Sequence, residues 1–161
     1  ITRYNLKDMP ITKTKIDLVM LMEQLVEEFY PMLEERHLRL EVSKPDFLMY
    51  SADGDKLARA FGNLLRNAIS YSYENTTIKI EMFENENDVK IIFENEGATI
   101  PEYKLEKIFD KFYRGDEARQ TNNGGTGLGL AITKEIVELH NGTINATSSN
   151  ETIKFEIILK K

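Results

Sequence analysis

The chain has 161 residues, the length of one ordinary domain, and leaves no room for a second one. Lys and Arg number 21 against 27 Asp and Glu, and this net charge of −6 argues against a nucleic acid or an anionic membrane recognised through bulk charge. Cysteine is absent and histidine occurs twice, which excludes disulfides, thiol nucleophiles, and thiolate or histidine-rich metal sites. No apolar run nears the roughly 18 residues that a membrane-spanning helix needs.

The first part of the chain predicts a linker followed by a helix. Residues 1–14 lack a sustained apolar period and contain a proline, which is typical of a linker. Apolar residues then recur every three or four positions from Leu18 to Leu33, which predicts an amphipathic helix capped by Asp17. Pro31 lies inside this stripe. Because proline has no backbone donor, we expect the helix to kink or break there.

The rest of the chain alternates between strand and helix patterns. The predicted elements are strands at 38–42 and 47–50, a helix at about 55–72 starting from Asp53 or Asp55, a hairpin of 78–82 and 89–93, a short helical stretch at 103–109, a loop at 113–125, a helix at about 128–139 ended by Asn141-Gly142, and strands at 143–147 and 153–159. These elements predict an α+β fold, a two-layer sandwich in which a mixed, mostly antiparallel sheet of about five strands packs on three helices.

A glycine cluster, GGTGLGL at 124–130, ends the predicted loop and opens the third helix. Glycine lets backbone amides approach an anion closely, and a helix N-terminus adds partial positive charge, so this pattern favours a phosphate site. A plain junction between loop and helix is the alternative. The pattern is not a P-loop, because no Lys-Ser or Lys-Thr pair closes it, and no strand directly precedes it as in a dinucleotide fingerprint.

Two amides lie on one face of the second helix, because Asn63 and Asn67 are four positions apart. Amide oxygens at the edge of an apolar stripe can serve Mg²⁺, which prefers hard oxygen ligands and shares phosphate oxygens. Taken alone, the pair fits polar residues that merely flank a buried face.

A third polar feature, Asn95-Glu96-Gly97, ends the second strand of the hairpin. An amide beside a glycine could read a flat nitrogenous ring through hydrogen bonds, and Tyr71 could stack on the same ring. A simple turn at a strand end is the alternative.

Taken in order, these features resemble the N, G1, F and G2 boxes of sensor histidine kinases. The boxes would be Asn63 to Asn67, Asn95 to Gly97, Phe109 with Phe112-Tyr113-Arg114, and the glycine cluster. The resemblance covers about residues 15–160 and implies the Bergerat ATP-binding fold, shared with gyrase, Hsp90 and MutL ATPases. Runs such as Asp55-Lys56-Leu57-Ala58-Arg59 are most similar to the vancomycin-resistance sensor kinases of the VanS type.

The resemblance also implies a site for ATP and Mg²⁺. The implied roles are Asn67 as a magnesium ligand; Asn63 beside the metal or the phosphates; Asn95 reading adenine, with Gly97 beneath the base and Tyr71 and Ile100 near it; Phe109 and Phe112 anchoring one end of an ATP lid at 113–125; Gly125, Thr126, Gly127, Leu128 and Gly129 at the phosphates; and Arg114 and Arg119 as lid cations that could meet the γ-phosphate.

Three positions depart from the family pattern. Asn95 stands where the family usually has Asp, so a neutral hydrogen bond replaces a charge-assisted one and we expect weaker nucleotide affinity. Thr99 replaces the second glycine of the G1 box, and Ser70 replaces a frequent Lys. Asn63 also stands where the hydrolysing ATPases of this fold place Glu. Because an amide cannot act as a general base, we expect negligible ATP hydrolysis.

Neither histidine fits a phosphoacceptor, which in this family lies in a His-Glu-x-x-x-Pro helix. His37 and His140 are both predicted to be surface or helix-terminal residues. We therefore expect the acceptor in a dimerisation domain outside this chain, and the first residue, Ile1 rather than Met, is expected of a part cut from a longer protein.

The resemblance implies the kinase domain of a two-component sensor, which transfers the γ-phosphoryl group of ATP to histidine. Residues 1–14 would be a linker or the end of the dimerisation hairpin, and 15–161 the catalytic domain. The implied partners are the protein's own dimerisation domain, a response regulator and a second copy of the full-length protein, with no nucleic acid. The domain would lie in the cytoplasm, anchored to the bacterial membrane by other segments. A degenerate nucleotide-binding module without turnover and a nucleotide-free interaction domain are the alternatives.

Overall fold

The computed structural model describes residues 10–111 and 129–161. Its elements in chain order are β1 (Thr14–Asp17), α1 (Leu18–Glu35), β2 (Arg39–Ser43), β3 (Met49–Ala52), α2 (Gly54–Tyr71), β4 (Thr77–Glu84), β5 (Asp88–Glu96), α3 (Glu102–Leu105), α4 (Gly129–Leu139), β6 (Thr143–Ser149) and β7 (Thr152–Lys160). Five strands form a sheet in the order β2-β4-β5-β7-β6, in which only β2 and β4 pair in parallel. Strands β1 and β3 form a separate antiparallel pair.

The main sheet is apolar on one face, and that face carries the helices. Along β5, Val89, Ile91 and Phe93 are buried while the residues between them are partly exposed. Helix α1 packs at β2, α2 at β5 and α4 at β6, so the three longer helices form one layer over the sheet. The rings of Phe61 and Phe93 meet in this core, with centroids 6.3 Å apart. The prediction of an α+β two-layer sandwich with a mixed five-stranded sheet is confirmed.

Helix α1 begins where the sequence predicts. The Asp17 carboxylate accepts the backbone N–H of Val19 at 3.0 Å, as an N-cap should. Of the kink or break predicted at Pro31, the break is wrong, because α1 continues through it to Glu35. Pro31 and Glu27 both lie on the exposed side of the helix, where water can bond the Glu27 carbonyl that proline leaves unpaired. None of the described helices is both long and apolar enough to cross a membrane.

Helix α2 is fixed at its start by Asp53, one of the two predicted caps. The carboxylate of Asp53 accepts the backbone N–H groups of Lys56 at 3.2 Å and of Thr12 at 3.3 Å. The Asp53 backbone N–H in turn donates to His140 Nε2 at 3.1 Å, which ties the start of α2 to the end of α4. The N-terminal end of the helix that carries Asn63 and Asn67 is therefore held in place.

The remaining predictions differ mainly at their boundaries. The strand predicted at 47–50 lies at 49–52, and β1, which the sequence did not predict, pairs with it at the end of the predicted linker. The hairpin and the last two strands are confirmed and extend a few residues beyond the predicted limits. The stretch predicted at 103–109 is helical only to Leu105. Helix α4 ends as predicted, with Asn141 at a φ of 57° and the Gly142 N–H bonded to Val137 O at 3.0 Å.

Candidate functional site

The middle of α2 lies against the first turn of α4, and Asn63 makes the contact. Its Nδ2 donates to Gly129 O at 3.1 Å and to Thr133 Oγ1 at 3.3 Å. Thr133 Oγ1 also donates to Gly129 O at 2.7 Å. An amide nitrogen carries two N–H groups, and both are used here, so the Oδ1 of Asn63 is the atom that the described contacts leave for a ligand.

This contact brings Gly129, the last glycine of the glycine cluster, to the amide pair. A Cβ built on Gly129 would lie 4.0 Å from the Cγ of Asn63. Asn67 lies one turn further along α2 and is half-buried, like Asn63. The structure therefore joins two features that are 66 residues apart in sequence.

The other end of α2 meets the end of β5 through Gly97. A Cβ on Gly97 would lie only 2.1 Å from the carbonyl oxygen of Tyr71, so no other residue fits without a backbone shift. The Tyr73 N–H donates to Glu96 O at 2.9 Å and holds the same two segments together. Glycine at 97 is thus required by the packing of α2 against the strand end.

Asn95 is the most unusual residue of this region. It is 3% exposed and belongs to the buried face of β5, yet its Nδ2 has no hydrogen-bond partner in the described part of the chain. An unpaired buried amide costs about 1 to 3 kcal/mol, so such a group needs a partner, which water, an ion or a polar ligand can supply. The position near the end of the strand, two residues before Gly97, is the one that the sequence analysis assigned to base reading.

Two more of the expected site residues lie in the described part. Phe109 packs edge-on against Phe155, with ring centroids 6.1 Å apart at 89°, which anchors the segment after α3 to the core. The Ile100 N–H donates to Ser148 Oγ at 2.9 Å. The other expected residues, namely Phe112, Arg114, Arg119, Gly125, Thr126, Gly127 and Leu128, lie outside the described residues.

A metal ion at this site would depend on amide oxygens. The described residues contain no group of three or more His, Cys, Asp or Glu side chains that could hold a metal. Asn63 and Asn67 supply one neutral oxygen each, which suits an ion that takes its remaining ligands from water and phosphate. The donor set fits Mg²⁺ bound together with a nucleotide better than Mg²⁺ bound alone.

The two histidines lie in different environments. His37 is exposed in the turn after α1. His140 ends α4 as predicted but is 0% exposed, with Nδ1 at 2.8 Å from Ile136 O and Nε2 accepting from Asp53. Burial lowers the pKa of His140, and both ring nitrogens are engaged, so its position is structural.

The sequence analysis missed Thr133. It lies on the inward stripe of α4, four residues after Gly129, and is fully buried. A hydroxyl among inward-facing apolar residues was the signal that could have identified it, because buried hydroxyls need partners.

Known proteins are similar to this chain in both sequence and fold. The profile of the family described as Histidine kinase-, DNA gyrase B-, and HSP90-like ATPase matches residues 52–161. The sensor protein VanS of Enterococcus faecium is 46% identical over 99% of the chain, which spans 41% of that relative's length. The catalytic domain of histidine kinase ThkA superposes with a TM-score of 0.84 at 28% identity, over 95% of this chain and 97% of that one. ThkA in complex with the response regulator TrrA gives a TM-score of 0.80 at 25% identity, over 94% and 42%. The chain belongs to the histidine kinase-, DNA gyrase B- and HSP90-like ATPase family, as a histidine kinase catalytic domain.

Proposed function

We propose that this domain binds ATP with Mg²⁺ between α2, the end of β5 and the start of α4, and transfers the γ-phosphoryl group to a histidine outside this chain. The observation that carries the proposal is the meeting of two separate segments on α2. Asn63 bonds Gly129 at one point, and Gly97 packs on Tyr71 at the other. A ligand along this line would have its phosphates at the helix start of α4 and its base at Asn95.

The residues along this line would bind different parts of the nucleotide. The Nδ2 of Asn95 is buried and has no partner among the described residues, so Asn95 can exchange hydrogen bonds with the edge of adenine, and Tyr71 and Ile100 would flank the base. Asn67 would ligate Mg²⁺, with Asn63 supporting the metal or the phosphates. A bound Mg²⁺ supplies positive charge that offsets charge on the phosphates. For the residues outside the described part, we propose the roles given by the resemblance: Phe112 beside Phe109 at the lid anchor, Gly125, Thr126, Gly127 and Leu128 at the phosphates, and Arg114 and Arg119 as lid cations near the γ-phosphate.

The acceptor would belong to the dimerisation domain of the longer protein. Both ring nitrogens of His140 are engaged inside the core, which makes it unsuitable as a nucleophile. We propose a homodimeric sensor kinase with its own phosphotransfer domain, anchored in the membrane by other segments, and a cognate response regulator as its second partner. The complex of ThkA with its regulator supports that partner. The likeness to VanS supports a role in vancomycin-resistance signalling.

The test of the proposal is a transfer assay with matched variants. The domain is mixed with Mg²⁺, γ-labelled ATP and a separate hairpin domain that carries the acceptor histidine. We expect label on the hairpin with the wild-type domain, and at least a hundredfold less with Asn67→Ala. Asn145→Ala, which removes an exposed amide on the outer face of β6, should transfer like wild type.

The outcomes separate the candidate functions. ATP binding without transfer would leave the alternative of a regulatory nucleotide-binding module. If calorimetry finds no ATP binding to the wild-type domain, the proposed site is wrong. Release of inorganic phosphate in the absence of the hairpin should be negligible, because Asn63 cannot activate water.

A further inference from the structure

A single guanidinium group from α1 closes the last turn of α2. Arg36 Nη1 donates to Ile69 O at 2.7 Å and to Ser70 O at 3.0 Å, and its Nη2 donates to Ser72 O at 2.7 Å. The last carbonyls of a helix have no partner inside the helix and carry partial negative charge. Helix α2 has no basic residue in its own last turn, so Arg36 supplies that charge from another element.

Arg36 directs this charge at the helix end alone. In residues 10–111 and 129–161 it forms no ion pair with a carboxylate, and each described hydrogen bond of its guanidinium goes to an α2 carbonyl or to the carbonyl just after the helix. The planar fork of a guanidinium can reach three carbonyls around one turn, which the single ammonium of lysine does less well.

The clamped turn is also the surface on which the end of β5 rests. The carbonyl of Tyr71 lies between those that Arg36 binds, and it is the atom that leaves no space for a side chain at Gly97. The same Cβ position lies 3.3 Å from the unpaired Nδ2 of Asn95. A continuous set of contacts therefore runs from Arg36 through the last turn of α2 to Gly97 and Asn95.

We propose that Arg36 is a positioning residue for the base end of the nucleotide site. It holds the last turn of α2 at a fixed distance from the end of β5, so that one flat ring fits between Tyr71 and Asn95. Arg36 does not touch the ligand itself. This inference rests on the proposed function and adds to it a residue outside all four sequence boxes.

The test compares Arg36→Met with Arg66→Met. The guanidinium of Arg66 lies 5.2 Å from the centroid of the Phe29 ring, so Arg66→Met also removes a contact between α1 and α2 but leaves the last turn of α2 intact. We expect Arg36→Met to weaken ATP and ADP binding by the same factor, about tenfold in calorimetry. In the transfer assay the KM for ATP should rise about tenfold, while kcat at saturating ATP stays within twofold. Arg66→Met should match wild type in all of these measurements.

Arg36→Lys serves as the conservative variant and should recover part of the lost affinity. If Arg36→Met does not fold, Arg36→Lys alone carries the test, with an expected loss of about threefold for both nucleotides. Unchanged affinity in the folded Arg36 variants would overturn the inference. So would a loss for ATP that ADP does not share, because the effect would then lie at the phosphate end. Failure of the wild-type domain to bind ATP would instead defeat the proposed function.

Discussion

Gly97 offers the sharpest test of how the site is built. Adding one methyl group through Gly97→Ala would place a Cβ 2.1 Å from the Tyr71 carbonyl oxygen and 3.2 Å from its carbon. An ordinary C···O contact is about 3.3 Å or longer, so the end of β5 and the last turn of α2 must separate by about 1 Å. The clash is between the Cβ at position 97 and the backbone carbonyl oxygen of Tyr71. Because neither atom moves when a side chain changes rotamer, such a change cannot relieve the clash.

The cost follows from the size of this shift. Forcing an extra methyl into a packed region costs about 1 to 3 kcal/mol. A domain of this length loses about 2 to 4 °C in Tm for each kcal/mol, so the Tm should fall by roughly 2 to 12 °C. A displacement of 1 Å at a positioned site can cost about a hundredfold in activity, and we expect ATP affinity to fall at least tenfold.

Gly62→Ala is the matched control for this substitution. Gly62 lies inside α2, and a Cβ there would make ordinary contacts of 3.9 Å with Leu25 and Phe29. Alanine is favoured over glycine inside a helix by about 0.5 to 1 kcal/mol, so this variant should be slightly more stable and bind ATP like wild type. Thermal melting and calorimetry on both variants give the comparison. Equal Tm and equal ATP affinity for Gly97→Ala and wild type would refute the steric reasoning.

Three further predictions concern polar groups that are buried or partly buried. Burial lowers the pKa of His140, with Lys13 and Lys56 lowering it further and the Ile136 carbonyl and Asp53 raising it, so its contribution to stability is complete above about pH 6.5 and lost as the pH falls through the lowered pKa. In urea unfolding at a series of pH values, the free energy of unfolding of wild type should fall by up to about 1.4 kcal/mol per pH unit more steeply on acidification than that of His140→Phe; parallel pH profiles for the two proteins would contradict this. Asp17→Ala removes the acceptor for the N–H groups of Val19 and Leu48, both at 3.0 Å, and should cost about 2 to 4 kcal/mol, whereas Asp17→Asn should cost much less; equal urea midpoints would count against the cap. Asn95→Asp buries an unpaired carboxyl, so the Tm without nucleotide should fall, while the rise in Tm on adding Mg-ATP should exceed that of wild type because a charge-assisted hydrogen bond forms; an equal or smaller rise would exclude base reading by this residue.

Local patterns were sufficient to predict most of the secondary structure. The apolar stripes of α1 and α2 and the alternation in β4 and β5 arise from burial on one face, which acts on neighbouring residues. The break at Pro31 was not predicted correctly, because the outcome depends on whether water reaches the Glu27 carbonyl, and that depends on tertiary packing. Strand β1 has only one apolar residue, Ile16, and is defined by its pairing with β3, so its own sequence carries little signal.

The candidate site was predictable in its parts but not in its connections. The order of the amides and glycines indicated the residue types that a nucleotide needs, and the proximity of Asn63 to Gly129 agrees with that order. The requirement for glycine at 97 has a different origin from the expected approach to a base, since the neighbouring atom is the Tyr71 carbonyl. A one-dimensional pattern gives no information on which backbone lies opposite a glycine.

Three hydrogen bonds that fix the site converge on α2, and each joins the helix or its cap to a distant part of the chain. The backbone of Asp53 bonds His140 at the start of the helix, Asn63 bonds Gly129 in its middle, and Arg36 bonds Ile69 at its end, over separations of 87, 66 and 33 residues. In each pair, one partner is a backbone N–H or carbonyl. Every residue offers a carbonyl, and every residue except proline offers an N–H. The residue type of the backbone partner therefore does not indicate the contact. A sequence can therefore reveal which side chains face a nucleotide while concealing the backbone contacts that hold those side chains in place.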